Sequence, residues 1–126
     1  MIPNFRAWLK KEKEMIDVDE IHFDNGKLDF IGDAITFMRT VDEIELMQST
    51  GLKDKNGKEI FEGDILAVEA DDEVVNVNVL WDKKHALFIF KSKKYNEEEL
   101  LAELVEDNAC LIEIIGNIYE NLELLK

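Results

Sequence analysis

Three side chains in this sequence could serve as a nucleophile, a general base or a soft metal ligand: His22, His85 and Cys110. An acyl-transfer centre needs a nucleophile, a base to take its proton and an acid to orient that base. Two histidines and one cysteine supply little of that. His22 lies between Ile21 and Phe23 on what reads as the polar face of a hairpin, and His85 lies in the lysine-rich run D-K-K-H, so both read as surface histidines. Cys110 stands in the apolar run C-L-I-E-I-I and fits a buried small hydrophobe better than a reactive thiolate; being alone, it forms no internal disulfide. A structural zinc site needs three or four closely spaced Cys and His ligands, which positions 22, 85 and 110 do not offer.

Carboxylates are abundant, so they are tested by spacing rather than by number. Asp71, Asp72 and Glu73 could hold magnesium, but a run of acids between apolar stretches is more simply a solvated turn. The run D-K-N-G-K-E from Asp54 to Glu59 superficially resembles a helix-flanked calcium loop. Such a loop carries ligands at its first, third and fifth places, glycine at the sixth and glutamate at the twelfth. Counted from Asp54, the glycine falls fourth, Lys58 fifth and Ile65 twelfth, so the spacing defeats that reading. Neither G-x-x-x-x-G-K-[ST] nor G-x-G-x-x-G occurs, which disfavours phosphate-cradling enzymes. We therefore expect a non-enzymatic protein, with no catalytic, cofactor-binding or metal-ligating residue to assign and no cofactor.

The elements that would position any such group are short. I-H-F, then Asn25-Gly26, then L-D-F-I reads as a hairpin, because Asn-Gly readily takes the positive φ angles of a tight type I′ turn. A-I-T-F-M and I-E-L-M suggest further strands. From Val75 to Trp81, Val75, Val77, Val79 and Trp81 share one face, while Asn76 and Asn78 share the other, which reads as solvent-facing. A-L-F-I-F is apolar on both faces, as a strand covered from two sides would be, and residues 109–119 read as a last long strand.

Two segments read as helical. Residues 3–16 place Phe5, Trp8 and Leu9 at helical spacing behind Pro3. Residues 96–107 place Asn96 as a cap, three glutamates where the helix dipole favours them, and Leu100, Leu101, Leu104 and Val105 in one apolar stripe. In the run from Thr50 to Leu66, Thr50, Gly51, Asp54, Asn56 and Gly57 supply a turn. Gly63-Asp64 then supplies a bend in which the aspartate can hold neighbouring amides, and Ile60, Phe61, Ile65 and Leu66 return the chain to the core.

At 126 residues with 46% apolar side chains, the chain suits one compact domain, 1–126, since halves would approach the size at which a core fails. No apolar run reaches membrane-spanning length and no signal-peptide block stands at the start, so we expect a cytoplasmic protein. The 29 acidic and 15 basic residues leave a net charge of −14. Nucleic-acid affinity comes largely from basic residues displacing counterions, so direct binding of DNA or RNA is disfavoured.

Two long signatures, E-L-M-Q-S-T-G-L-K-D-K-N-G-K-E-I-F-E-G-D-I-L from Glu45 to Leu66 and I-I-G-N-I-Y-E-N-L-E-L-L near the C-terminus, together with F-R-A-W at Phe5 to Trp8, resemble the YopX-like family. The likeness spans nearly the whole chain, with one departure: the family usually has proline where Leu122 stands. The resemblance implies a mainly β single domain with a small barrel-like portion, and it makes F-R-A-W a strand rather than part of a helix. The helix near 96–107 remains the one helix expected. The resemblance also implies self-association and carriage by phages or prophages, and it brings no catalytic or ligand residues with it. The leading reading is thus a small protein-protein interaction or regulatory module with a host or phage protein, or a second copy, as partner. The alternatives are an acidic mimic of nucleic acid that blocks a host DNA-binding protein, and nucleic-acid binding through the barrel, for which the lysines in K-K-H and K-S-K-K are the only support. Phe61, Trp81 and Phe88 are the aromatic residues to watch for exposure.

Overall fold

Phe5–Leu9 forms strand β1, with Ala7 and Leu9 buried while Arg6 and Trp8 are half-buried. That period of two settles the N-terminal segment as strand, and the helical reading of 3–16 is wrong. The competing force is pairing on both sides: β1 is antiparallel to β2 (Glu14–Val18) and to β6 (Ile44–Lys53), which satisfies its amides and carbonyls across the sheet. Lys13, at φ 55, makes the tight turn between β1 and β2. The computed structural model describes residues 4–92, 97–108 and 111–126. Pro3, the expected Asn96 cap, Cys110 and the lysines at 93 and 94 lie outside them.

Backbone contacts cluster into two units, Met1–Gln48 and Ser49–Lys126. In the first unit, β3 (Ile21–Asp24) and β4 (Lys27–Gly32) make the expected hairpin, with Asn25 at φ 52 and Gly26 at φ 78. A third strand, β5 (Met38–Thr40), pairs with β4. A-I-T-F-M is thus mostly loop, with only its methionine in a strand, whereas I-E-L-M lies inside β6 as expected. The core of this unit gathers Ala7, Leu9, Ile31 and Ile44, with Ile16, Val18, Ile21, Leu28, Phe37 and Leu46 packed around them.

In the second unit, the end of β6 pairs with β7 (Glu59–Phe61). An antiparallel sheet follows in the order β11, β10, β9, β8, β12, from β8 (Asp64–Ala70), β9 (Glu73–Asp82), β10 (Leu87–Ser92), β11 (Glu97–Leu100) and β12 (Ile112–Asn117). Val75, Val77 and Val79 face the core as their alternation requires. The opposite face is not simply solvated: the Asn76 amide donates to the Leu124 carbonyl at 2.9 Å, so the 3-10 turn Leu122–Leu125 lies on it. β10 is half-buried along most of its length, as its two-sided apolar pattern predicts.

The single short helix near 96–107 is present, but as α1 (Leu101–Asn108), with Leu101 and Val105 buried in the core. Residues 97–100, including the expected run of glutamates, belong to β11 instead, paired with β10. Intrinsic helix preference is a weak force, and the free edge of β10 offers partners to the backbone groups on one side of those residues. Leu100 is consequently a strand residue and leaves the helical stripe. The last strand stops at Asn117 rather than at residue 119, because the Asn117 side-chain oxygen accepts from the amides of Tyr119 and Glu120 and turns the chain. Strands make up about 60% of the described residues, so the protein is mainly β, and its barrel-like portion is a curled half-barrel sheet.

Buried carboxylates fix the bends of this second unit. Asp54 is 6% exposed and accepts from the amides of Asn56 and Lys58 at 2.9 Å through one oxygen and of Ile114 at 3.0 Å through the other, tying its turn to β12. Asp64, 1% exposed, accepts from the Phe61 amide at 2.7 Å beside Gly63 at φ 90, as the bend at Gly63-Asp64 was expected to do. Burial by itself would push the Asp54 carboxyl up, but its amide donors outweigh burial and hold it below the usual aspartate value. A carboxyl depressed in the folded state stabilises fully above its unfolded value, and that contribution is lost as pH falls through the folded one. Asp54→Asn should therefore cost about 2 kcal/mol at neutral pH and, in urea titrations repeated from neutral pH to below about pH 4, should lose part of the acid sensitivity of the wild type.

Candidate functional site

In the first unit, five residues leave β4 and return to β5 through a loop built on one carboxylate. Asp33 accepts from the amides of Ile35, Thr36 and Phe37 at 2.8–3.0 Å and from the Thr36 hydroxyl at 2.5 Å. The Ala34 amide closes the loop on the Phe37 carbonyl at 3.1 Å, with Ala34 itself at φ 65. The Thr36 hydroxyl first, then the three amides, drive the Asp33 carboxyl far below the usual range, so it is a fixed negative charge. Gly32 starts the loop at φ 99, where a Cβ would collide with the Phe37 carbonyl. At the tip this rigid frame presents Ile35, which is 91% exposed.

Beside the loop lies a cleft of 370 Å³. Ile16, Val18, Gly32, Phe37 and the buried Ile31 line it together with the exposed residues Asp17, Asp19, Glu20 and Asp33. No lysine or arginine lines it among the described residues. Along β2, Ile16 and Val18 turn towards the core of the unit while Asp17, between them, faces the other way; Asp19 and Glu20 follow in the link to β3.

His22 braces the neighbouring hairpin. Its ring stacks on Phe30 at 4.2 Å between centroids, its Nε2 lies 3.1 Å from the Gly32 carbonyl, which requires that nitrogen to donate, and Glu20 is 3.5 Å away. Its side chain is 43% exposed, so it is a surface histidine as expected, and one engaged with the hairpin. His85 does stand out in its turn, with Nδ1 2.7 Å from an Asp82 oxygen, while the other Asp82 oxygen accepts from the Lys84 amide at 3.1 Å. The His85 contact comes first among the causes that hold the Asp82 carboxyl below its usual value.

Asp71 and Asp72, at φ 46 and 67, form the tip between β8 and β9, so their role is in the backbone turn. Among the described residues no group of three or more His, Cys, Asp or Glu is placed to hold a metal ion. The oxygens of Asp54, the first residue of the calcium-like run, are engaged by amides. Of the three aromatics singled out, Trp81 is 37% exposed, edge-to-face against Phe88 at 4.9 Å, whereas Phe61 and Phe88 are half-buried. The cleft was not anticipated from sequence. Its readable signal is Gly32 followed by Asp33 and, three residues on, Thr36, the pattern of an aspartate-capped turn.

The closing signature is likewise built from turn chemistry. Gly116 leaves room for the side chain of Asn121, whose oxygen accepts from the Asn117 amide at 3.2 Å; the Asn117 side-chain amide donates to Glu120 at 2.8 Å. The 3-10 turn then begins at Leu122.

The sequence model of the YopX protein family matches residues 4–126. Among solved structures, the protein EF1440 from Enterococcus faecalis is 30% identical, with 100% of this chain and 99% of that one covered and a TM-score of 0.71. The protein yopX from Bacillus subtilis is 20% identical over 98% of both chains with a TM-score of 0.66, a likeness of fold. No curated protein matches the chain.

Two substitutions probe the loop. Gly32→Ala should lower stability by about 2 kcal/mol or more, through positive φ and collision together, visible as a fall in the urea midpoint. Thr36→Val should move the Asp33 titration back up towards the ordinary aspartate range in a carboxyl-detected NMR titration.

Proposed function

The chain belongs to the YopX family, and from that premise we propose that it is a non-enzymatic interaction module, encoded by a phage or prophage and acting in the cytoplasm on a host or phage protein. The observation that carries this reading is Ile35. An isoleucine left 91% exposed on a loop held by hydrogen bonds from three amides and a hydroxyl is an ordered apolar tip with no cover from its own chain. Burying such a side chain against a partner is worth about 1.5–3 kcal/mol. Because the loop is already ordered, association does not pay to order it.

Support also comes from what the titratable groups are occupied with. His22 holds a hairpin, Asp82 and His85 hold a turn, and Asp54 and Asp64 hold bends. A second copy of the chain is the other partner consistent with this reading. Among the described residues no helix is long and apolar enough to cross a membrane.

The test is a nuclease-treated affinity pull-down from the native host, run in parallel with tagged wild type and Ile35→Ser. A protein recovered with wild type and depleted severalfold with the variant is the expected result. Identical recoveries would remove the loop from the interaction.

A further inference from the structure

Asn-Gly occurs twice in the chain, and both times lysine follows: Asn25-Gly26-Lys27 and Asn56-Gly57-Lys58. Glycine after asparagine lets the next amide nitrogen reach the side-chain carbon, because no Cβ stands in the way. Both asparagines and both glycines are exposed, and a Cβ built on either glycine would meet nothing within 4 Å. Access and the residues that follow therefore leave the two sites alike. Their hydrogen bonds do not.

We propose that Asn25 is a site of spontaneous modification, converted through a succinimide to isoaspartate and aspartate, while the fold protects Asn56. The Gly26 nitrogen bonds to the Asn25 side-chain carbon, the bond from that carbon to Nδ2 breaks, and the amide proton leaves with Nδ2 as ammonia. Water then opens the ring at one of its two carbonyls. Attack at the main-chain carbonyl routes the chain through the side chain and leaves isoaspartate; attack at the other leaves aspartate.

At Asn56 the fold holds the reacting groups. The Gly57 amide donates to the Asp54 carbonyl at 3.0 Å, the Asn56 and Lys58 amides donate to Asp54 Oδ1 at 2.9 Å, and the Asp54 amide donates to the Lys58 carbonyl at 2.9 Å. Asp54 Oδ2 accepts from Ile114 in β12 at 3.0 Å, which anchors the turn. Ring closure there must break the Gly57 bond and swing its nitrogen out of a network centred on a buried carboxylate. The negative charge of that carboxylate also opposes loss of the Gly57 proton. At Asn25 the two turn residues lie between the paired Asp24 and Lys27, and among the described residues no acceptor holds the Gly26 amide. Attack requires only that a hairpin tip fray, which is among the least costly of local openings.

The product alters the hairpin. Its two-residue turn depends on Asn25 at φ 52 and Gly26 at φ 78, and isoaspartate places an extra carbon in the main chain there. A new carboxylate also appears two residues from Phe23, which is 65% exposed. The arms that the turn joins bring Ile21, Leu28 and Ile31 to the core of the first unit and stack His22 on Phe30. The converted protein should therefore show faster amide hydrogen exchange over residues 21–31.

The experiment incubates the full chain in mildly alkaline buffer, folded and in concentrated urea. It follows the exchange of NH for O at each asparagine by peptide mass spectrometry after digestion at mildly acidic pH, with isoaspartyl and aspartyl peptides separated. In the folded protein Asn25 should react about tenfold faster than Asn56, roughly the rate factor of one hydrogen bond in a charged network. In urea the two rates should converge. Asp54→Ala should raise the Asn56 rate severalfold in native buffer, with Asn25 in the other unit as internal reference. Equal rates in the folded wild type, or faster loss of Asn56, would overturn the proposal. So would a preference for Asn25 that persists in urea, which would assign it to the preceding residues, Asp24 and Lys55, rather than to the fold. An Asn56 rate unmoved by Asp54→Ala would remove the protecting role of that carboxylate.

Discussion

Backbone amides that a bend takes out of the sheet must find acceptors, and in this protein aspartates supply them. Asp33 serves three amides of its loop, Asp54 three more around its turn and on β12, Asp64 the amide of Phe61 at the bend into β8, and Asp82 the amide of Lys84. An unpaired amide shut away from water costs about 1–3 kcal/mol, so these contacts decide which bends a chain of short strands can make. The arrangement also explains why burial fails to neutralise Asp54. Charged hydrogen bonds from fixed amides favour the anion more than loss of solvent disfavours it.

This division of labour changes how the acidity should be understood. A net charge of −14 invites a single explanation, yet the carboxylates fall into different groups. Those of the turns are placed by the geometry of the amides they serve, and their positions follow the loops. Of those of β2 and the link that follows it, Asp17 is on the outward face of the strand and Asp19 and Glu20 lie in the link. A functional reading of the charge belongs with this second group, which lies beside the half-buried Ile16, Val18 and Phe37.

The parts of the fold that the sequence makes plain are those settled by local geometry. Asn25-Gly26 announces its hairpin because few other dipeptides take two positive φ angles cheaply. The valines of β9 announce a buried face because strand periodicity is a property of the segment alone. β1 and β11 were obscured for a common reason. In a five-residue strand such as Phe5–Leu9, Phe5, Trp8 and Leu9 satisfy a helical pattern by coincidence, and the two sides of pairing that settle the matter come from residues 14–18 and 44–48. The glutamates of β11 look like the start of a helix until the free edge of β10 is known. Asn76 looks solvated until residue 124 is placed beside it.

The cleft belongs to that non-local class, which is why no residue of it stood out beforehand. It requires the end of β2, the end of β4 and the Asp33 loop to meet, and only the loop has a local signature. What makes the loop informative is the mismatch between its frame and its tip. Three amides and a hydroxyl are spent on a single carboxylate, yet the side chain displayed at the tip, Ile35, packs on nothing that would repay such order. A turn needed only to join β4 to β5 would be served as well by a polar residue there. A rigid turn with an aliphatic tip has the properties of a preorganised contact surface: its shape is set before a partner arrives, and the charge of Asp33 within it is held by hydrogen bonds.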